Sequence, residues 1–178
     1  MSLRHLLFAF VLAIPAITRA EDPTTFPVGG LTFTRPADWK WVAVNSPMRK
    51  AQLQVPGAEA AKFADITFFH FGEGGAGGGV EANAQRWLKQ FSGKAGAEKI
   101  EPQEIGGVKV TLVSTEGTFF SGMPGGEAKT MENYALLGAM IENAGGLVFV
   151  KMTGPTDTVK ASREKFLEFL KTAITAKK

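Results

Sequence analysis

The chain predicts an α+β fold, a mostly antiparallel β-sheet with two main helices packed on it. Three observations carry this. Most apolar segments are short and alternate with polar residues at a period of two, as strands do. Several are joined by glycine-rich links of hairpin type, which pair strands antiparallel. Only two stretches carry an apolar stripe at helical spacing, one over about residues 80–91 and one after Pro155.

The chain opens on MSLRHLLFAFVLAIPAITRA. Arg4 and His5 form a short basic start, residues 6–17 are apolar apart from Pro15, and Thr18-Arg19-Ala20 offers small residues where a signal peptidase reads. This is the three-part secretory pattern, so residues 1–20 are expected to be a signal peptide and the mature chain to begin near Glu21. The apolar run is shorter than the roughly 20 residues a membrane-spanning helix needs, and no later segment reaches that length. The expected setting is therefore bacterial export, to the periplasm or beyond. No cysteine occurs anywhere, which argues against a lipid anchor and leaves stability to the core alone. No twin arginine precedes the apolar run. Residues 21–178 suffice for one ordinary globular domain.

The mature segment starts with a polar, proline-bearing stretch, 21–27, expected to be loose. Residues 31–33 alternate as a strand, closed by Arg35-Pro36-Ala37-Asp38. Residues 39–44 follow, with Trp39, Trp41 and Ala43 on one face, and Asn45-Ser46-Pro47 turns the chain into a strand over 50–55. In the strand over 64–71, Ile66, Phe68 and His70 point one way and Thr67, Phe69 and Phe71 the other. Apolar residues on both faces predict an interior strand covered on both sides. A glycine run, 72–79, leads into the helix over 80–91, where Val80, Ala84, Trp87, Leu88 and Phe91 form the stripe. Glu81 suits the positive helix end, and Ser92-Gly93 stops the helix. A charged strand over 98–105 turns at Gly106-Gly107 into a long strand over 108–120. After a loop over 121–127, strands over 130–141 and 147–152 form a hairpin through Asn143-Ala144-Gly145-Gly146. Gly154-Pro155 opens the last helix, whose buried face is Val159, Phe166, Leu170 and Ile174, joined by Leu167 and Phe169. The two helices can lie one on each side of the sheet.

This order of elements resembles the PsbP-like (Mog/PsbP-type) α/β/α sandwich, a group that includes an extrinsic photosystem subunit and a nuclear-transport protein that binds the Ran GTPase. Two runs resemble exported bacterial proteins of that group more closely. One is Gly78-Gly79-Val80-Glu81-Ala82-Asn83 with Arg86-Trp87 and Gln90-Phe91. The other is Phe149-Val150-Lys151-Met152-Thr153-Gly154-Pro155. The resemblance implies an accessory role exercised by binding and brings no catalytic residue set with it.

Composition narrows the chemistry. Losing residues 1–20 removes Arg4 and Arg19 and no acid, leaving 18 basic against 17 acidic side chains. A near-neutral domain has no electrostatic footprint for nucleic acid; the terminal Lys171, Lys177 and Lys178 read as a solvated helix tail. Fourteen Phe against one Tyr places most rings in the core, since Phe has no polar handle. Gly72, Gly74 and Gly77 match G-x-G-x-x-G in form. The helix starts beyond the third glycine, however, and the segment after it is charged and holds Pro102, so a dinucleotide site is rejected and no cofactor is expected. What remains is a connection, with anion binding by free amides at the helix start as the alternative. His70 is the only histidine after residue 20, and with no thiolates there is no metal-ligand pattern; Asp65 and Glu73 do not make one. No G-x-S-x-G occurs, so no catalytic residue is assigned.

The interaction candidates are Asn83, Arg86, Phe119, Phe120 and Met123. Asn83 and Arg86, three apart on the first helix, read either as a contact to a partner or anion or as a helix–sheet boundary pair bonded to carbonyls, the plainer reading. Phe119, Phe120 and Met123, ahead of Pro124-Gly125-Gly126, read as a docking tip or as residues folded back on the core. The functional expectation is an exported, non-enzymatic accessory or binding module acting on an envelope protein or a small ligand. The alternatives are a periplasmic hydrolase using His70 as base, and a small-ligand carrier using the sheet face under the glycine run.

Overall fold

The computed structural model describes residues 21–59, 62–72, 77–93, 97–122 and 129–176. Residues 1–20, read above as a signal peptide, Met123 and its Pro124-Gly125-Gly126 neighbours, and Glu73 and Gly74 of the glycine run lie outside them.

Ten strands and three helices are described. They are β1 (Thr25–Val28), β2 (Leu31–Thr34), β3 (Lys40–Trp41), β4 (Arg49–Val55), β5 (Ala64–His70), α1 (Val80–Leu88), β6 (Phe91–Ser92), β7 (Lys99–Ile105), β8 (Val108–Ser121), β9 (Lys129–Asn143), β10 (Gly146–Pro155), α2 (Thr156–Ala161) and α3 (Arg163–Thr175). Eight strands form one sheet in the order β3-β4-β5-β10-β9-β8-β6, and β7 also pairs with β8. Every pairing is antiparallel. The predicted α+β class with an antiparallel sheet and helices packed on it is the observed one.

Strand alternation sorts the side chains into two cores. Ile66 and Phe68 of β5, Val148, Val150 and Met152 of β10, and Leu137, Ala139 and Ile141 of β9 face one side. There they meet the β1–β2 hairpin, Trp39, and Val159, Phe166, Phe169 and Leu170 from α2 and α3. Phe33 packs between Phe68, edge to face at 5.1 Å, and Phe169, tilted at 5.3 Å, which carries the hairpin onto α3 across the sheet face. On the other side, Phe149, Leu136, Met140 and Val113 meet Ala84, Trp87 and Leu88 of α1. One helix layer thus covers each face. Burying a Phe or Leu fully contributes roughly 1.5–3 kcal/mol, so both layers are held mainly by apolar area removed from water.

Four details depart from the sequence reading. The stretch read as a loose start is strand β1, with Phe26 and Val28 buried. Gly29 and Gly30, at φ +55° and +81°, make the two-residue turn to β2 that such conformations allow. The strand expected over 39–44 shortens to Lys40–Trp41; Trp39 is buried ahead of it and Ala43 is exposed. The first helix ends at Leu88 rather than Phe91. Phe91 instead pairs with Phe119 as β6, because its ring is buried by the Phe119 ring at 4.9 Å rather than along the helix stripe. The last helix is two, α2 and α3, meeting at Ser162.

The seat of α1 depends on one small residue. A Cβ on Gly138 of β9 would lie 2.3 Å from the Trp87 ring, so the indole occupies the space a side chain would fill. A methyl there must push α1 off the sheet. Gly138→Ala is expected to cost about 1–3 kcal/mol by overpacking, read by urea denaturation. In the Trp87→Leu background the same change should cost much less, and an equal cost in both backgrounds would refute this account of the seat.

Candidate functional site

Between α1 and the sheet opens a cleft of ≈ 510 Å³. Its floor comes from β4, β5 and β10, and its walls from α1, from β8 and β9, and from Phe63 ahead of β5. Arg49, Asp65, Thr67, Lys151 and Thr153 supply the polar floor. Arg86, Trp87 and Gln90 line the α1 side, and Phe119, Ser121, Met131 and Tyr134 the far side, with Phe63 and Phe69 completing the apolar lining. The volume lies within the range of small-molecule sites, which are likewise mostly apolar with a few convergent polar groups.

Lys151 is the central cation. Strand pairing places it opposite Thr67 of β5 and Gly138 of β9, on the α1 side of the sheet. Its Nζ donates to the side-chain oxygen of Gln90. It also lies 5.4 Å from the Phe119 ring centroid and 5.9 Å from that of Trp87, where the negative faces of the rings attract it. Gln90 is held in place from both ends: its N–H donates to the Trp87 carbonyl, and its own carbonyl accepts from Phe120 N–H at 2.8 Å. Burial pulls the Lys151 pKa down from the ordinary lysine value to about 8. Removing the ammonium from water disfavours its charged form, and among the described residues Lys151 enters no ion pair to offset that.

The other cleft charges are Arg49, Arg86 and Asp65. Gln52 links two of them: its Nε2 donates to Asp65 Oδ1 at 2.9 Å and its Oε1 accepts from Arg49 Nη1. Arg49 Nε is buried without an acceptor among the described residues. Three cations thus face one carboxylate. A second cleft, lined by Lys99, Glu116, Lys160 and Arg163, also sets three cations against one carboxylate, but its Lys160 and Arg163 are paired, with Glu116 at 2.6 Å and Glu101 at 3.8 Å. A larger one, of ≈ 690 Å³, holds Glu59, Glu116, Glu132 and Asp157. Its Lys62 and Lys160 are already paired, with Glu59 at 2.8 Å and Glu116 at 2.6 Å.

The sequence candidates separate here. Asn83 is buried, and its Nδ2 lies 2.8, 3.1 and 2.9 Å from the carbonyls of Gly77, Gly78 and Gly79, so it closes the end of the glycine run over the start of α1. Its Oδ1 accepts from Arg86 Nη1 at 2.8 Å, which aims the guanidinium along the cleft wall. Asn83 therefore matches the carbonyl-bonding reading, while Arg86 also reaches the cleft. Phe119 is buried in the α1-side core, and Phe120 on the opposite side of the strand is 40% exposed. His70 ends β5 on the other face of the sheet. Its Nε2 is 2.7 Å from the Gly145 carbonyl; a carbonyl only accepts, so Nε2 carries the hydrogen and is spent on that bond. Lys151 and Arg49, the two floor cations, were not among the sequence candidates. Among the described residues no group of three or more His, Cys, Asp or Glu could hold a metal, and no helix is long and apolar enough to cross a membrane.

No protein-family model matches the chain, and no curated protein matches it. Among solved structures the fold is similar to cyanobacterial PsbP from Synechocystis, with 12% identity, 90% of this chain and 95% of that chain covered, and a TM-score of 0.49. It is also similar to the Pseudomonas aeruginosa protein of unknown function PA94, at 13% identity over 87% of this chain and 98% of that chain, with a TM-score of 0.47. These likenesses are ones of fold, and the reading of the cleft is independent of them.

A lysine held below its unfolded pKa lowers stability wherever it must charge. The cost is absent above the unfolded value of about 10.5 and fully present once pH falls below about 8. A shift of that size corresponds to up to about 3 kcal/mol. Lys151→Met fills a similar volume without the charge and is expected to be about 1–3 kcal/mol more stable than the parent at pH 7. Its advantage should shrink between pH 8 and 10.5, as followed by denaturation across pH. Arg49, Asp65, Arg86 and Tyr134, the titratable groups that share the cleft, are common to both proteins. A Lys151→Met protein less stable than the parent at pH 7 would contradict the assignment of this lysine as a stability cost.

Proposed function

We propose that this chain is an exported, non-enzymatic binding module that holds a small ligand through an anionic group in the α1 cleft. The observation that carries the reading is the excess of Arg49, Arg86 and Lys151 over Asp65 in a concave, aromatic-lined site. Of these cations Lys151 is largely buried, Arg49 is half-buried and Arg86 is exposed at the rim; a desolvated cation without a matching carboxylate attracts an anion strongly, because the cost of dehydrating it is already met on folding. The rings of Phe69, Trp87, Phe119 and Tyr134 suit a flat or apolar ligand body. Of the alternatives read from the sequence, the small-ligand carrier gains most support, since the cleft lies on the sheet face beside α1. The His70 hydrolase gains none: among the described residues no Ser or Thr hydroxyl is hydrogen-bonded to its ring, whose hydrogen bond runs from Nε2 to the Gly145 carbonyl. Export rests on the secretory pattern of residues 1–20, and a mature N-terminus at Glu21 in the periplasmic or secreted fraction would support it, whereas a chain retaining Met1 would not.

Isothermal titration with benzoate and its neutral isostere benzamide tests the charge requirement. Benzoate is expected to bind at least tenfold more tightly. Arg86→Gln and Lys151→Met should each weaken it about tenfold or more, and binding should fall as pH rises through 8 and Lys151 loses its proton. Equal affinities for the two compounds, or full binding by Lys151→Met, would remove the reading.

A further inference from the structure

The environment of Lys151 differs from that of a lysine kept only as a fixed charge. We propose that Lys151 is a carbonyl-reactive amine, and that the cleft holds a small aldehyde or 2-oxo acid bearing an acidic group as a reversible imine. The acid part of this inference rests on the anion-binding reading above; the amine part stands on the surroundings of Nζ.

Three features support it. Lys151 lines an open cleft, so a small molecule can reach it. The Nζ has a neutral acceptor, Gln90, and two ring faces as neighbours, with no ion-pair partner among the described residues to hold it as an ammonium. Arg49 and Arg86 line the same cleft as Lys151 and offer guanidinium groups for the acid group of such a ligand. Lysines activated for imine formation include those desolvated in apolar pockets, and burial is what lowers the pKa of Lys151. With a pKa of about 8, about half of the Lys151 amine is free at pH 8, against well under one per cent for an ordinary exposed lysine.

The step balances without a further reagent. The amine lone pair adds to the carbonyl carbon and forms the C–N bond. The carbonyl oxygen then leaves as water with the two hydrogens of the amine, and a C=N bond remains. No oxidant or reductant is needed, and water reverses the reaction. The outcome is capture of the ligand, in keeping with a binding module.

Glyoxylate is the probe, with propionaldehyde as its counterpart lacking the acid. The purified protein is incubated with each at pH 8, reduced with borohydride to freeze any imine as a secondary amine, and mapped by peptide mass spectrometry. Glyoxylate should label Lys151 at least tenfold faster than any other lysine. Lys151→Arg, shown to be folded by circular dichroism, should retain only the background at other lysines. Arg86→Gln should slow labelling of Lys151 by glyoxylate but not by propionaldehyde. Labelling spread over surface lysines, with Lys151 no faster than the rest, would overturn the proposal. Should benzoate bind while Lys151 resists trapping, the imine falls and the anion-binding reading stands. Should propionaldehyde trap Lys151 as fast as glyoxylate, the acid requirement falls and the reactive amine stands.

Discussion

The contact between the Trp87 ring and the bare backbone of Gly138 sets the geometry of the whole α1 side. The indole lies where a side chain of β9 would otherwise stand, and its ring meets that of Phe149 edge to face, 6.3 Å between centroids. This fixes how closely the helix can approach the sheet. α1 is only nine residues long, too short to be stable alone in water, so its order depends on this packing. With the helix fixed there, Gln90 just beyond it reaches Lys151, and Arg86 one residue before Trp87 borders the cleft. The site is a consequence of where one aromatic ring can rest.

The two faces of the sheet carry different burdens. The side with α2, α3 and the β1–β2 hairpin is a continuous aromatic and aliphatic core that joins Phe26, Phe33, Phe68, Trp39 and Phe169. Among the described residues no charged side chain is fully buried, and this face buries more apolar residues than the α1 side. The α1 side buries fewer residues and leaves an open cleft with a lysine at its floor. Spare stability on one face permits a desolvated cation on the other. Sites that depress a lysine's pKa without a structural gain are candidates for function for this reason.

Much of the fold was legible because it rests on local patterns. Strand alternation in β5 and β10, the Asn143–Gly146 turn and the stripe of α1 each follow from periodicity within a short window. β1 carried the same kind of signal in Thr25-Phe26-Pro27-Val28 before two glycines, but Pro27 and its polar neighbours masked the inward alternation of Phe26 and Val28. The break at Ser162 left no mark in the apolar stripe. The cleft was legible only in part. Arg86 and Asn83 stood out by their spacing on α1. Lys151 did not, because a lysine between Val150 and Met152 on a strand reads as the solvent-facing member of an alternating pair. Only the tertiary position of α1 covers that row and turns the lysine inward. Phe119 and Phe120 could not be told apart by pattern either; the irregularity between Gly117 and Phe119 decides which ring enters the core.

The account turns on the state of one amine, which can be observed directly. Heteronuclear NMR of protein labelled at the lysine side chains, titrated from pH 6 to 11, follows each Nζ and its adjoining carbon separately, with Lys151→Arg assigning the signal. One lysine, Lys151, should titrate near pH 8, and saturating benzoate should move its midpoint upward as the anion stabilises the ammonium. If Lys151 titrates with the surface lysines near 10.5, or ignores the anion, the cleft is not the charged, desolvated site described here.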